Sequence, residues 1–184
     1  SIRRQRQMCI RDWMTEIAIY DLIGGACASR AWGLGYHSVF CTRAMGILGD
    51  GSHFLIRDVV DNGALISHAA IPGGDTKHAS GGFISSGRWP FVSGSNLSTW
   101  TFLSTMVDGE NRFMIIPTSQ AGLTIEPTWQ AMAARGSMSN DVLLDNVFVP
   151  EAMAPIAVRP APHESWLPNG PPALKVPTKA RVWM

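Results

Sequence analysis

The segment 86–94, Ser-Gly-Arg-Trp-Pro-Phe-Val-Ser-Gly, carries the residues best suited to hold a planar ligand. Trp89 and Phe91 are two positions apart, so an extended backbone would place both rings on one face, which Ser93 would continue with a hydroxyl. A glycine at each end lets the backbone turn or approach a ligand closely. The pattern favours a platform for a flat ring with a polar edge. By spacing alone, ordinary packing of two aromatic side chains is the commoner explanation.

The composition limits the kinds of partner. The chain has 184 residues, which suits one domain with appendages. Charged residues make up only 16% against a typical ~25%, which predicts a surface covered by further chain or by partner subunits. The net charge of +1 does not favour a nucleic-acid partner. No apolar run reaches the ~20 residues of a membrane span.

The cysteines and histidines do not form a metal motif. Cys9, Cys27 and Cys41 are widely spaced without a Cys-x-x-Cys pair, which favours free thiols and a cytoplasmic location. His68 and His78 are ten positions apart and lack a third ligand at metal spacing. We therefore expect neither disulfides nor a metal site.

The hydrophobic period changes near residue 50. Ile10, Trp13, Met14 and Ile17 follow helical spacing, and Gly24-Gly25 interrupts that pattern. A second helix over 26–45 is rich in small residues, which predicts burial against neighbouring helices. From about residue 54 to 150 the signals indicate strands, with candidates at 64–67, 83–85, 88–93, 100–107, 112–116, 123–125, 142–144 and 147–149.

Turn signals separate these predicted strands. Asp108-Gly109 predicts a hairpin between the strands 100–107 and 112–116, and Asp145-Asn146 predicts a turn before 147–149. Many short strands indicate an antiparallel barrel or sandwich. Residues 154–184 are rich in proline and are predicted to be a linker or irregular tail. The domain boundaries predicted are 1–48, helical; 49–153, β; and 154–184, tail.

Three segments together resemble one family. They are 31–38 (AWGLGYHS), 81–94 with Trp100 after it, and 129–151, which contains Arg-Gly-Ser-Met-Ser-Asn-Asp-Val. The chain is similar to the acyl-CoA dehydrogenase superfamily, and within it to the oxygenase components of two-component flavin-dependent monooxygenases. Members of that group hydroxylate phenols and steroid-derived catechol precursors or oxidise organosulfur compounds. The resemblance covers residues 15–155.

The resemblance implies an α+β fold of N-terminal helices followed by an antiparallel β-barrel middle domain. The family adds a C-terminal helical bundle, which we expect to be missing here. It also implies a cytoplasmic enzyme that is a homotetramer in its full-length form and receives reduced FMN or FAD from a partner flavin reductase. Its substrate would be a small aromatic molecule, with no nucleic acid or membrane as partner.

The resemblance also implies site residues. Ser93, near the flavin N5 atom, and His37, facing the substrate, would be catalytic. The implied cofactor-binding residues are Trp89, Phe91, Val92, Ser93, Gly94, Arg135, Ser137 and Ser139. A buried structural role for His37 and a surface ion pair for Arg135 are equally compatible with the sequence.

The sequence departs from the family pattern in two ways. Met138 stands where the family has glycine between Ser137 and Ser139, a position where a turn can require positive φ. The family's catalytic histidine belongs to the C-terminal bundle, and His163 in the proline-rich tail does not match it. We therefore expect this chain alone to bind flavin weakly and to turn over poorly. An acyl-CoA dehydrogenase-type oxidoreductase and a non-catalytic β-domain fragment are the alternatives.

Overall fold

The computed structural model describes residues 15–157. The predicted helical positions Ile10, Trp13 and Met14, the thiol Cys9 and the tail beyond residue 157 lie outside the described residues. Cys27 and Cys41 are free thiols.

Among the described residues, three helices come first. Residues 15–26 form helix α1, Ala28–Leu48 form α2 and His53–Asn62 form α3. The helical structure is interrupted between α1 and α2 at Cys27, two residues after the predicted glycine pair. The prediction of strand from residue 54 is wrong for α3: Leu55 is buried on one face of this helix, and Gly63, with φ +67°, provides a left-handed end to it.

Seven strands follow the helices. They are β1 (Ile66–Ala69), β2 (Asp75–Ala79), β3 (Gly82–Val92), β4 (Trp100–Val107), β5 (Glu110–Pro117), β6 (Leu123–Glu126) and β7 (Asn140–Pro150). The hairpin between β4 and β5 is confirmed, with its turn at Asp108-Gly109. The turn predicted at Asp145-Asn146 is wrong, since β7 runs through it with Asn146 at φ +50°.

The strands form two sheets that do not close into a barrel. One sheet has the order β1-β4-β5, with β1 parallel to β4, and the other has the order β2-β3-β7-β6 and is antiparallel. The α+β class is confirmed, whereas the prediction that the strands close into a barrel is wrong. The physical reason is that β1 enters directly from α3 and pairs with β4 in the same direction, which leaves two separate sheets packed face to face.

The three-stranded sheet is covered on both faces. Phe102 of β4 packs with Phe40 and Leu55 of the helices, whereas Leu103, the next residue, packs with Trp89 and the second sheet. This alternation follows the two-residue period of a strand. The helices therefore lie on one side of this sheet and the four-stranded sheet lies on the other. The α2 helix and the end of β3 lie close enough for Trp32 to bond Ser93.

Candidate functional site

A cavity of about 370 Å³ lies where α2, the end of β3 and the turn before β7 meet. Its lining residues are Trp32, Tyr36, Phe91, Ser93, Trp129, Ala134, Ser137 and Ser139. Its size is within the range of small-molecule sites. Four aromatic rings and three serine hydroxyls make it suited to a flat ligand with a polar edge, the class of ligand that the segment 86–94 predicts.

Three serine hydroxyls form a chain along this cavity. Ser93 Oγ is 2.9 Å from Ser139 Oγ, and Ser139 Oγ is 2.8 Å from Ser137 Oγ. The indole Nε1–H of Trp32 donates to Ser93 Oγ over 3.1 Å. All three serines are buried, so the chain is shielded from bulk water. Because hydroxyls donate and accept, the chain can reorient to serve a ligand.

Two pairs of rings form the apolar walls. Trp32 and Tyr36, one turn apart on α2, have ring centroids 4.7 Å apart. Phe91 and Trp129 meet edge to face, with centroids 6.2 Å apart and planes at 84°. Burial raises the pKa of the Tyr36 phenol, which keeps it neutral. The described lining therefore carries no charge at neutral pH.

The prediction that Trp89 and Phe91 share one face is wrong. Trp89 is fully buried between the sheets, and its Nε1–H donates to the Ser104 carbonyl over 2.7 Å. Phe91 is 64% exposed and has φ +60°. The strand loses its regular alternation between Trp89 and Val92, where its register with β7 shifts. Trp89 therefore packs the core, and its predicted contact with a cofactor has no counterpart in the cavity lining.

Val92 and Gly94, the remaining predicted residues of this segment, lie next to the cavity without lining it. Val92 is fully buried in the core. Gly94 has φ +78°, and its N–H donates to the Ser137 carbonyl over 2.8 Å. This bond connects the end of β3 to the turn that carries Ser137 and Ser139. A β-carbon at Gly94 would meet no atom within 4 Å, so this backbone borders open space.

The chain is similar to known proteins both in sequence and in fold. The chain is 29% identical over 137 residues to the oxygenase component of an FADH2-dependent resorcinol hydroxylase of Rhizobium sp., covering 70% of this chain and 32% of that protein. It superposes on the 3-HSA hydroxylase of Rhodococcus sp. RHA1 with a TM-score of 0.62 and 27% identity, covering 73% of this chain and 35% of that one. KijD3, solved with FMN and a dTDP-sugar, gives a TM-score of 0.66 at 20% identity, covering 77% and 39%. No protein-family model matches.

The chain has the acyl-CoA dehydrogenase-like fold. Its curated relatives are oxygenase components of flavin-dependent monooxygenases, which confirms the resemblance predicted from the three segments. The matched part of this chain spans about a third of the length of the resorcinol hydroxylase component and about a third of the 3-HSA hydroxylase.

His37 lies beside this cavity without lining it. Its Nδ1 accepts the backbone N–H of Ile66 over 3.1 Å, and its Nε2 is 3.6 Å from the Cys41 sulfur. Burial lowers the pKa of His37, so its ring is held neutral. In the described residues His37 connects α2 to the start of β1, which is the structural role that the sequence left open.

Arg135 also stands outside the lining. It begins the short turn Arg135–Ser137, and its side chain is exposed. In the chain Arg135 follows the lining residue Ala134 and stands two positions before Ser137. A guanidinium is suited to bind a phosphate or a carboxylate.

Sequence reasoning missed four lining residues as site residues: Trp32, Tyr36, Trp129 and Ala134. Three of them are aromatic and lie inside or at the edge of the segments that carry the resemblance. The available signal was therefore their residue type within those segments. What the sequence did not reveal is that α2 packs against the turn before β7 and so brings Trp32 to Ser93.

The described residues contain neither a metal-binding cluster nor a helix suited to span a membrane. Among residues 15–157 no group of three or more histidine, cysteine, aspartate or glutamate side chains is arranged to hold a metal ion. Over the same range, none of the helices combines the length and the apolar character needed to cross a membrane.

Proposed function

We propose that this chain forms the flavin-contacting part of the oxygenase component of a flavin-dependent monooxygenase. Such an enzyme uses reduced flavin and O2 to hydroxylate an aromatic or related small organic substrate, with the flavin supplied by a partner reductase. The observation that carries the proposal is the cavity itself, in which a buried chain of three serine hydroxyls meets four aromatic rings. The curated relatives support it, since they are named as oxygenase components.

The cavity fits an isoalloxazine ring in its chemistry. The rings of Phe91, Trp129 and Trp32 offer apolar faces, and the serines offer hydroxyls to the ring's polar edge. The open backbone at Gly94 allows close approach. When bound, the flavin supplies the oxygen chemistry, while the protein positions the ring and excludes water that would divert reducing power to hydrogen peroxide. Arg135 is the residue we assign to a flavin phosphate.

The hydrogen bonds of Ser93 limit what it could offer to a flavin nitrogen. Trp32 Nε1–H is donor only, so Ser93 Oγ must accept from it. If Ser93 donates to Ser139 and Ser139 donates to Ser137, the free proton lies at Ser137, and Ser93 Oγ keeps one lone pair that can accept the N5–H of a reduced flavin. If Ser137 donates to Ser139 and Ser139 donates to Ser93, the Ser93 proton is left to point into the cavity. Both directions satisfy every hydroxyl, so the chain can offer either a lone pair or a proton at Ser93 to the flavin N5 edge.

The finer assignments follow from the same proposal. The cofactor is FMN or FAD, the full-length enzyme is a cytoplasmic homotetramer, and the residues 1–48, 49–153 and 154–184 are its helical, β and tail regions. His37 acts from beside the cavity, by keeping α2 in place, rather than by contact with substrate. Neither an acyl-CoA dehydrogenase-type enzyme nor a non-catalytic β fragment is favoured by a particular contact of the described residues.

The test compares two buried serines. The chain is titrated anaerobically with reduced FMN and reduced FAD, and is then given O2, a flavin reductase, NADH and a phenol. Ser93→Ala should increase the yield of hydrogen peroxide per flavin oxidised by severalfold and lower the hydroxylated product, because the hydroxyl at the ring edge is lost. Ser98→Ala is the matched control, because Ser98 is buried and bonded to Ser67 Oγ at 2.9 Å but does not line the cavity.

The proposal would be contradicted in either of two ways. A wild-type chain that binds neither flavin at millimolar concentration would remove the flavin site from these residues. Equal peroxide yields for wild type, Ser93→Ala and Ser98→Ala would remove Ser93 from the chemistry.

A further inference from the structure

Gly136 lies in the turn Arg135–Ser137, next to the lining residue Ser137. Its φ is outside the left-handed region, so the backbone at this position does not require a glycine. The residue is exposed, and an alanine would lose less conformational entropy on folding. What lies against Gly136 therefore gives the reason for the missing side chain.

Ser29 of α2 lies against Gly136. A β-carbon at position 136 would be 3.1 Å from the Ser29 Cβ and 3.4 Å from its Oγ. Carbon atoms that are not bonded prefer separations of about 3.5–4.0 Å. An alanine at 136 would have to push Ser29 away by about 0.4–0.9 Å to reach that range. The glycine therefore allows α2 to approach the turn this closely.

Ser29 shares one face of α2 with residues of the cavity. Trp32 and Tyr36 follow it at positions i+3 and i+7, the spacing of a single helix face. Both line the cavity, and Trp32 Nε1–H donates to Ser93 Oγ over 3.1 Å. The distance between Ser29 and the turn therefore also sets the distance between this helix face and the opposite wall.

The opposite wall is connected by hydrogen bonds. The Gly94 N–H donates to the Ser137 carbonyl over 2.8 Å, and Ser93 Oγ is 2.9 Å from Ser139 Oγ. These two bonds join the end of β3 to the turn and to the residues after it. A helix that is pushed away from the turn is therefore also pushed away from Ser93.

The other attachment of α2 limits the size of this movement. His37 Nδ1 accepts the Ile66 N–H over 3.1 Å and so holds α2 against the start of β1. A helix that pivots at His37 moves at Trp32 by about five eighths of the shift at Ser29, or roughly 0.3–0.6 Å. The distance from Trp32 Nε1 to Ser93 Oγ would grow from 3.1 Å to about 3.4–3.7 Å, where a hydrogen bond is weak or lost.

We propose that Gly136 is a positioning residue of the cavity: by leaving room for Ser29, it lets α2 approach the turn closely enough for Trp32 to bond Ser93. Gly136 acts through α2 and does not itself line the cavity. In the enzyme this spacing sets the width of the flavin pocket. The functional part of this inference rests on the flavin site proposed above, whereas the spacing of α2 does not.

The experiment compares alanine at two glycines. Gly136→Ala creates the contact with Ser29, whereas Gly33→Ala adds next to Trp32 a β-carbon that meets no atom within 4 Å. Exchange of the Trp32 indole N–H with D2O, followed by NMR and assigned with Trp32→Phe, reports the bond to Ser93, because this half-exposed ring is not protected by burial alone. Titration with reduced FMN and reduced FAD reports the pocket, and urea unfolding checks that each variant is folded.

We expect Gly136→Ala to speed exchange of the Trp32 indole N–H by about tenfold and to weaken flavin binding severalfold, because the hydrogen bond to Ser93 is lost. Gly33→Ala should change both quantities by less than about twofold. Combining Gly136→Ala with Ser29→Gly removes the opposing β-carbon and should restore the exchange rate and the affinity of Ser29→Gly alone. Combining it with Ser29→Ala keeps that β-carbon and should restore neither.

Three results would overturn the inference. They are unchanged indole exchange in Gly136→Ala, an equal acceleration in Gly33→Ala, or a rescue by Ser29→Gly no better than that by Ser29→Ala. Accelerated exchange with unchanged flavin affinity would overturn its functional part. If the wild-type chain binds no flavin, the proposed function fails by itself, and the indole exchange still decides whether Gly136 sets the position of Trp32.

Discussion

Met138 offers a direct measurement of the strain next to the serine chain. Its φ of +46° and ψ of +49° place it in the left-handed region, between Ser137 and Ser139. We predict that Met138→Gly is more stable than Met138→Ala. Both variants remove the side chain, and both keep the backbone carbonyl that accepts the Ser95 hydroxyl over 3.0 Å. The difference between them therefore isolates the cost of a β-carbon at this φ.

The magnitude follows from two opposing terms. The left-handed conformation costs a residue with a β-carbon roughly 1–2 kcal/mol. Glycine loses more backbone entropy on folding, which costs about 0.5–1 kcal/mol relative to alanine. The glycine variant should therefore unfold with a free energy about 0.5–1 kcal/mol higher than that of the alanine variant. For a chain of this size the midpoint of thermal unfolding should rise by about 2 °C.

The assay is urea unfolding at 25 °C followed by tryptophan fluorescence, and Met106 provides the control. Met106 is a partly exposed methionine within the regular strand β4, without positive φ. At Met106 the order should reverse, with alanine more stable than glycine. If alanine is as stable as glycine at Met138, or if the two positions give the same sign, the strain argument is wrong.

Two further predictions concern packing and pH. Gly74→Ala should lower the free energy of unfolding by about 3 kcal/mol, since its new Cβ would lie 2.3 Å from the Trp89 ring. Gly63 has a similar φ, but a Cβ there would meet no atom within 4 Å, so Gly63→Ala should lower the free energy of unfolding by only about 1 kcal/mol in the same urea assay. His37 has a lowered pKa and accepts from Ile66 N–H as a neutral ring, so the unfolded state binds more protons. Stability should therefore fall as pH drops through about 6.5, the unfolded pKa, toward the folded one. The His37→Gln variant should lose this part of the dependence of the free energy of unfolding on pH. Equal pH dependence in the wild type and the variant would contradict the prediction.

The sequence predicted the elements whose signals are local. The hairpin at Asp108-Gly109 depends on turn chemistry that two residues provide, and β4 has the bounds predicted for it. The segment 53–62 was misjudged because Val59 and Val60 favour strand locally, whereas burial of Leu55 against the sheet favours helix. Such burial depends on β1, β4 and β5, which no local pattern reveals.

The site shows the same division between local and tertiary information. Ser93, Ser137 and Ser139 were predicted, and they line one cavity. Trp89 was placed on the wrong face because strict alternation fails at the bulge opposite Asp141. The sequence marks the bulge only by a proline next to a bulky residue, and this signal does not tell which ring turns outward.

The distribution of strained backbone supports the location of the site. Among the described residues, five that are not glycine have positive φ: Phe91, Asp108, Ala134, Met138 and Asn146. Asp108 and Asn146 have side chains that tolerate this conformation, and they lie in a turn and within β7. The other three have no such tolerance.

These three residues all belong to one place. Phe91 and Ala134 line the cavity, and Met138 lies between the two serines that complete its hydroxyl chain. A fold that needed only a turn at these positions could use glycine or asparagine at lower cost. Strain of this kind persists where surrounding contacts fix it, and here the Gly94 N–H bonds the Ser137 carbonyl over 2.8 Å and so connects the end of β3 to the turn before β7. The cavity is therefore the part of the structure whose shape is held against local preference, as expected of a site that must present rings and hydroxyls to a ligand in fixed positions.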